Sequence, residues 1–364
     1  MKAQGPLKGV KVLEFVGLGP APFCAMMLAD MGADVVRIDR PGAHGGGAAE
    51  VLARGRRSIS LNMKDAGDLT ICRDLIAKAE ILIEGFRPGV MERLGLGPDA
   101  AFALNPALVY GRMTGWGQTG PLAQAAGHDI NYIALTGALD AIGTPDTPVP
   151  PLNLVGDFGG GAMYLAFGVL AGLLHARASG EGQVVDAAIV DGATSLMASQ
   201  HQLAAMGLWH TRRGENLLDG GAPFYGVYRC SDDKHVSIGP LEPQFYALML
   251  ELLKIDPATM PASWTGDGWE AARARLAEIF LGRTRDEWCA LLEGTDICFA
   301  PVLNYEESPL HPHMAERGVY TKIDGVRQAA PAPRFSRTPG AIQGAAPKPG
   351  ADREAVLADW KVSG

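Results

Sequence analysis

The sequence predicts an α/β protein in which a large domain built on a doubly wound parallel sheet is joined to a smaller α+β domain. Three observations lead there. Residues 10–40 read strand, turn, helix, strand, which is one βαβ unit. Apolar strand-like runs alternate with helical patterns as far as residue 115. Residues 223–239 then alternate as a hairpin, and helical patterns follow it. At 364 residues the chain also exceeds the usual size of one core, so two domains are expected.

In the first unit the mostly apolar run Val10 to Val16 suits a buried strand, Phe23 to Met31 a helix, and Ala33 to Ile38 a second strand. The helix "LTICRDLIAKA" leads into the strand "EILIEGF", and "NPALVYGRMTGWG" supplies another strand running into a loop. From Gly159 to about Trp209 the pattern is helical except at "SGEGQVVDA", and Gly159 to Ala176 reads as a buried core helix rather than a membrane span. In "PFYGVYRCSDDKHVSIG" the tetrapeptide "SDDK" is the expected hairpin turn. Helical patterns fill Gln244 to Glu293. The Pro-, Ala- and Gly-rich "AAPAPRFSRTPGAIQGAAPKPG" is expected to be an extended connector before a last helix, "ADREAVLADW". The expected division is a large domain over 1–200 completed by the tail 325–364, a linker over 200–225 and a small domain over 225–320.

The formal charge of −8 argues against nucleic acid and anionic membranes as partners, which require a field of the opposite sign. Residues 1–115 carry 14 Lys and Arg against 12 Asp and Glu, a local +2, so an anionic ligand is expected to prefer this third. The five cysteines have neither C-x-x-C spacing nor a histidine at metal-ligand spacing, and the first residues lack a signal-peptide apolar region. A reduced, cytoplasmic protein without a metal is the expectation.

Gly17-Leu18-Gly19-Pro20-Ala21-Pro22 stands where a dinucleotide fingerprint would stand, with Asp39 placed 22 residues after Gly17 as a ribose-binding acid. The turn is wrong for a pyrophosphate, because Pro20 and Pro22 have no N–H to offer it. Three other stretches place ionisable residues in apolar or glycine-rich surroundings: His128 and Asp129 in "GHDINY", Asp157 in "PPLNLVGDFGGG" and Glu242 in "IGPLEPQFY". Each alone has an ordinary structural explanation. Asp157 stands out because the three glycines that follow allow a ligand or another backbone to approach closely.

The runs "GLGPAPFCAMMLADMGADVVRIDRPG", "RMTGWGQTGP", "AGHDINYIALTG", "PPLNLVGDFGGG", "GQVVDAAIVDG", "LDGGAPFY", "LEPQFY" and "GTDICFAPVL" occur in order over nearly the whole chain. Together they resemble the α-methylacyl-CoA racemases, a branch of the family III CoA-transferase superfamily in which "GHDINY" marks the racemases. The resemblance implies an isomerase of lipid metabolism that interconverts 2R- and 2S-2-methylacyl-CoA thioesters by two-base proton transfer through an enolate. It implies catalytic roles for His128 and Asp157 on opposite faces of C2, with Glu242 orienting the histidine. Backbone amides at the start of the helix after Asp157 are the expected enolate partners.

By the same resemblance the CoA moiety is held by Arg40, Leu61, Asn62, Met63, Lys64, Gly85, Phe86, Arg87 and Arg93, with Gly127, Asp129, Ile130, Asn131 and Tyr132 along the thioester end. No match to a contact exists for Arg37, Arg54, Arg56 and Arg57, which read as surface charge. The family implies an interlocked homodimer, no cofactor beyond the CoA of the substrate, and possible supply of Glu242 by the partner chain. The alternative is CoA transfer between carboxylic acids, with Asp157 forming an acyl-enzyme.

Overall fold

The computed structural model describes residues 4–261 and 266–363. These divide into two compact units, the first formed by 4–136, 152–196 and 316–363, the second by 137–151, 197–261 and 266–315. Residues 137–151, within the stretch assigned above to the large domain, thus cluster with the second unit, as do 200–225.

The first unit contains a six-stranded parallel sheet. Its strands are β1 (Lys11–Phe15), β2 (Asp34–Asp39), β3 (Arg57–Ser60), β4 (Ile81–Glu84), β5 (Val109–Thr114) and β6 (Gln183–Ala188), in the order β3-β2-β1-β4-β5-β6. The order reverses between β1 and β4, and a ligand crevice is expected outside the carboxyl ends of strands at such a point. Successive residues face opposite layers: Val12 and Ile83 pack under helices α1 (Pro20–Asp30) and α4 (Tyr164–Ser179), whereas Leu13 and Leu82 pack under α2 (Ala66–Lys78) and the C-terminal helix Arg353–Trp360. Both layers are apolar, which is why the strands read as mainly apolar runs. A further short helix, α3 (Asp129–Leu135), follows β5, and α5 (Ile189–Leu196) follows β6.

Strand β6 was hidden in the "SGEGQVVDA" break. It pairs with β5 at the sheet edge, and the exposed Gln183, Val184 and Asp186 deny it a continuous apolar run. The expected buried helix is also corrected. Leu154–Met163 is wound as a π-helix that continues into α4, and the outer side of α4 leaves Phe167 and Leu174 75% and 73% exposed. Leu154–Ser179 is long and apolar enough to cross a membrane by length and composition. Here it is the crossover between the parallel strands β5 and β6, with Leu165, Val169 and Leu173 in the core.

The four arginines read as surface charge are not surface charge. Arg37 pairs with Asp39 at 2.9 Å, Arg54 with Asp30 at 2.5 Å and Arg56 with Glu14 at 2.8 Å, all buried, and half-buried Arg57 bridges Asp34 and Asp359 at 2.6 Å each. Each is paired with an acid of the same third, so the +2 excess of that third is carried by its other residues.

The proline-rich connector lies along this same unit. The Ala341 N–H donates to the Asp30 carbonyl, Gln343 Nε2 to the carbonyls of Ala29 and Ala33, and the Gly344 carbonyl accepts from Gly55. Trp360 then closes the core with its indole N–H on Asp34 at 2.8 Å. A hairpin absent from the sequence reading, β10 (Tyr320–Ile323) and β11 (Val326–Ala329), precedes the connector. It turns on Asp324-Gly325, both at positive φ, and Gln328 of β11 accepts from Arg54.

In the second unit, the hairpin of β7 (Gly226–Arg229) and β8 (His235–Ile238) gains a third strand, β9 (Phe299–Val302). Helices Pro243–Leu252, Trp269–Phe280 and Arg285–Leu292 pack on it around Tyr228, Phe280 and Trp288. Residues 262–265, within the expected helical stretch, lie outside the described residues.

Candidate active site

Two clefts open at the carboxyl ends of β1 and β4, where the strand order reverses. The first, about 840 Å³, is lined by the β1–α1 turn (Val16 to Gly19), Arg40, His44 and Phe86. The second, about 480 Å³, is lined by Gly85, Phe86, Arg87, Trp116, Gly127, His128, Asn131 and Tyr132. Phe86 belongs to both. Its position is fixed from behind: the Glu84 carboxylate accepts the Phe86 N–H at 2.7 Å while taking Arg112 Nε at 2.8 Å, and the Phe86 ring meets Phe15 edge-on at 6.1 Å. Burial raises the pKa of Glu84, and the Phe86 N–H and Arg112 oppose that shift.

His128 is the N-cap of α3 and is exposed on the second cleft. The Asn131 side chain turns back to accept the His128 N–H at 3.0 Å, a reciprocal arrangement that fixes the start of the helix. Tyr132 donates its hydroxyl to the Gly127 carbonyl and stands edge-on to Trp116 at 4.8 Å. A side chain at Gly115 would collide with that ring, which accounts for the glycine in "TGWG".

Asp157 is half-buried in the π-helical segment. Phe158, next to it, stacks on Phe23 of α1 at 4.4 Å, and one Asp157 oxygen comes within 3.1 Å of where a Cβ on Gly19 would stand. The glycine-proline turn rejected as a phosphate cradle thus faces the candidate catalytic carboxylate. Burial raises the pKa of Asp157, the nearby Asp129 charge raises it further, and a hydrogen bond from Asn153 and the His128 charge oppose the rise. Sequence reasoning passed over Asn153, although its spacing of four residues from Asp157 is one helical turn.

Of the three glycines after Asp157, Gly160 serves a backbone neighbour. A Cβ on Gly160 would meet the Ala193 amide nitrogen of α5 at 2.6 Å. The expected enolate partners are also corrected: Asp157 lies inside the helical segment, its own N–H is donated to Asp129 at 2.6 Å, and the Phe158 N–H is donated to the Asn153 carbonyl.

Residues 7–353 match CoA-transferase family III. Two curated relatives named alpha-methylacyl-CoA racemase, from Mus musculus and Homo sapiens, are 44% and 42% identical over 92% of this chain and 87% of theirs. A crystal structure of a CAIB/BAIF family protein from Brucella suis covers 98% of this chain and 100% of its own, with a TM-score of 0.82 and 25% identity. The chain belongs to CoA-transferase family III.

Of the residues that the family III resemblance nominated, Arg40, Gly85, Phe86, Arg87, Gly127, Asn131 and Tyr132 line the two clefts together with His128. Others do not. Leu61 is a core residue, Met63 packs against the same core, and Asn62 caps the turn before α2 by accepting the Lys64 N–H. Exposed Lys64, Arg93 and Ile130 line neither cleft. Asp129 points to the Asp157 backbone. Glu242 is exposed in the second unit, directly before the helix Pro243–Leu252. Among the described residues no group of three or more His, Cys, Asp or Glu could hold a metal ion.

Proposed function

We propose that this chain epimerises 2-methylacyl-CoA thioesters at C2, and the observation that carries the proposal is that Asp129, next to His128 on α3, accepts the Asp157 N–H at 2.6 Å and so brings the two candidate acid/base residues together. Removing a weakly acidic proton α to a thioester and returning one to the opposite face needs two groups of opposite protonation state. A neutral His128 accepts the C2 proton of one epimer while protonated Asp157 donates to the other face. For the second epimer Asp157 is the base and imidazolium the acid. The proton account closes in both directions, and the reaction as written calls for no cofactor.

The likeness to the two mammalian racemases over 92% of the chain supports the same reading. Enolate charge falls beside the N-terminal end of α3, where His128 is the cap and the helix dipole favours negative charge. Arg40 and Arg87, the exposed cations of the two clefts, suit the phosphates of CoA. Glu242 is proposed to orient His128. The apolar outer side of α4, with Phe167 and Leu174, is offered to a second copy of the chain, as an interlocked homodimer requires.

CoA transfer through an Asp157 acyl-enzyme needs the carboxylate as nucleophile. The racemase needs the same carboxylate as base for the second epimer, so the raised pKa of Asp157 does not separate the two readings. Incubation with a 2R-methylacyl-CoA in deuterated water, without an acceptor acid, separates the two. Deuterium at C2 with loss of configuration is expected, whereas CoA movement to an added carboxylate without exchange defeats the proposal.

A further inference from the structure

We propose that Asp129 is a positioning residue for Asp157: one carboxylate oxygen anchors the backbone of the acid/base residue, and a negative charge is thereby held beside it. The inference rests on the racemase reading only in what Asp157 does, not in how it is held. The residue sits beside His128 on the first turn of α3, where a role on the cleft itself would be the obvious assignment. Its Oδ1 instead accepts the Asp157 N–H at 2.6 Å. The close approach needs Gly156, because any side chain there would collide with the Asp129 carboxylate. The "GD" of "VGDFGGG" and the "HD" of "GHDINY" are therefore two halves of one joint.

The joint matters because Asp157 lies in the first turn of the segment Leu154–Met163, where backbone N–H groups need a partner from outside the helix. A single charged acceptor from α3 ties the two candidate bases to one short helix, so His128 and Asp157 cannot drift apart independently. The charged groups acting on Asp157 are Asp129, which holds its proton on, and His128, which opposes that; Asn153 adds a hydrogen bond, and the Tyr132 phenol is electrostatically coupled to it. The β1–α1 turn from Val16 to Pro22 has no ionisable residue, and α5 meets the segment through Gly192 and Ala193.

Two substitutions separate anchoring from charge. Asp129→Asn keeps an oxygen acceptor and removes the charge, and Asp129→Ala removes both. In full-length protein with carboxyl-¹³C aspartate, the Asp157 resonance is assigned by its loss in Asp157→Asn and titrated. In Asp129→Asn its midpoint is expected to fall by about half to one pH unit, and the limb of the exchange profile that follows Asp157 is expected to move with it. Asp129→Ala is expected to lower kcat about tenfold or more, with KM for the acyl-CoA held within about twofold.

An unchanged Asp157 midpoint in Asp129→Asn overturns the proposal. So does an Asp129→Ala enzyme with raised KM and intact kcat, which would make Asp129 a CoA contact. If Asp129→Ala does not fold, the more conservative Asp129→Asn decides. Wild-type protein without C2 exchange sinks the racemase reading instead, and the carboxyl titration still decides the role of Asp129.

Discussion

Gly160 and Ala193 lie so close that a Cβ on Gly160 would stand 2.6 Å from the Ala193 amide nitrogen. The fit is reciprocal, since a side chain at Gly192 would run into the Gly160 carbonyl. Such packing of backbone on backbone locks the segment that carries Asp157 against α5. Gly160→Ala is therefore expected to cost about 1–3 kcal/mol of stability by overpacking. It should also reduce exchange activity more than acyl-CoA binding. Urea unfolding and a KM-against-kcat comparison check both, and an Ala variant matching wild type in each would remove this role for the glycine.

Arg56 stands on the wall of the first cleft but is sequestered in a buried ion pair. Its guanidinium meets Glu14 at 2.8 Å with both side chains sequestered, and it also donates to the Leu52 and Pro22 carbonyls. Glu14→Gln leaves this cation without its counter-charge, and the expected cost is about 3–5 kcal/mol. Acyl-CoA affinity in the folded fraction should change little. Denaturant unfolding alongside binding titration distinguishes this from a phosphate-contact role, for which affinity would fall and stability would hold.

In the second unit, two fork hydrogen bonds from Arg285 at 2.9 and 2.8 Å hold the Glu307 carboxyl at a pKa of about 2, with help from the Asn304 N–H and Lys234. A depressed folded pKa means that the pair contributes fully above the ordinary value of 4.5 and loses its contribution as pH falls from there through about 2. The melting temperature should decline over that interval. Glu307→Gln should start lower at pH 7 and show a shallower decline, and parallel curves for the two proteins would contradict the assignment.

Much of the fold was legible because its parallel strands are buried on both faces. Val10 to Val16 and "EILIEGF" are mostly apolar, interrupted only by Lys11, Glu14, Glu80 and Glu84, and they became β1 and β4. β6 was not legible, because an edge strand with Gln183, Val184 and Asp186 exposed resembles a loop. Charge was harder still. Arg37, Arg54 and Arg56 look like surface residues in sequence, and only the fold brings Asp39, Asp30 and Glu14 to them. The candidate site was legible as residue types, with His128, Phe86 and Arg87 on one cleft. The link from Asp129 to Asp157 spans 28 residues and a change of helix type, and no local spacing announces it.

The central claim is that His128 and Asp157 exchange the C2 proton of an acyl-CoA between two faces. Its most direct test follows C2 deuterium incorporation and configuration together, starting from each pure epimer of a 2-methylacyl-CoA in deuterated water. Wild type is expected to label and epimerise both. His128→Ala and Asp157→Ala are each expected to lose epimerisation by about a hundredfold or more, the scale of a removed acid/base group. Undiminished epimerisation in either variant, or a wild-type protein that transfers CoA without labelling C2, would contradict the two-base account.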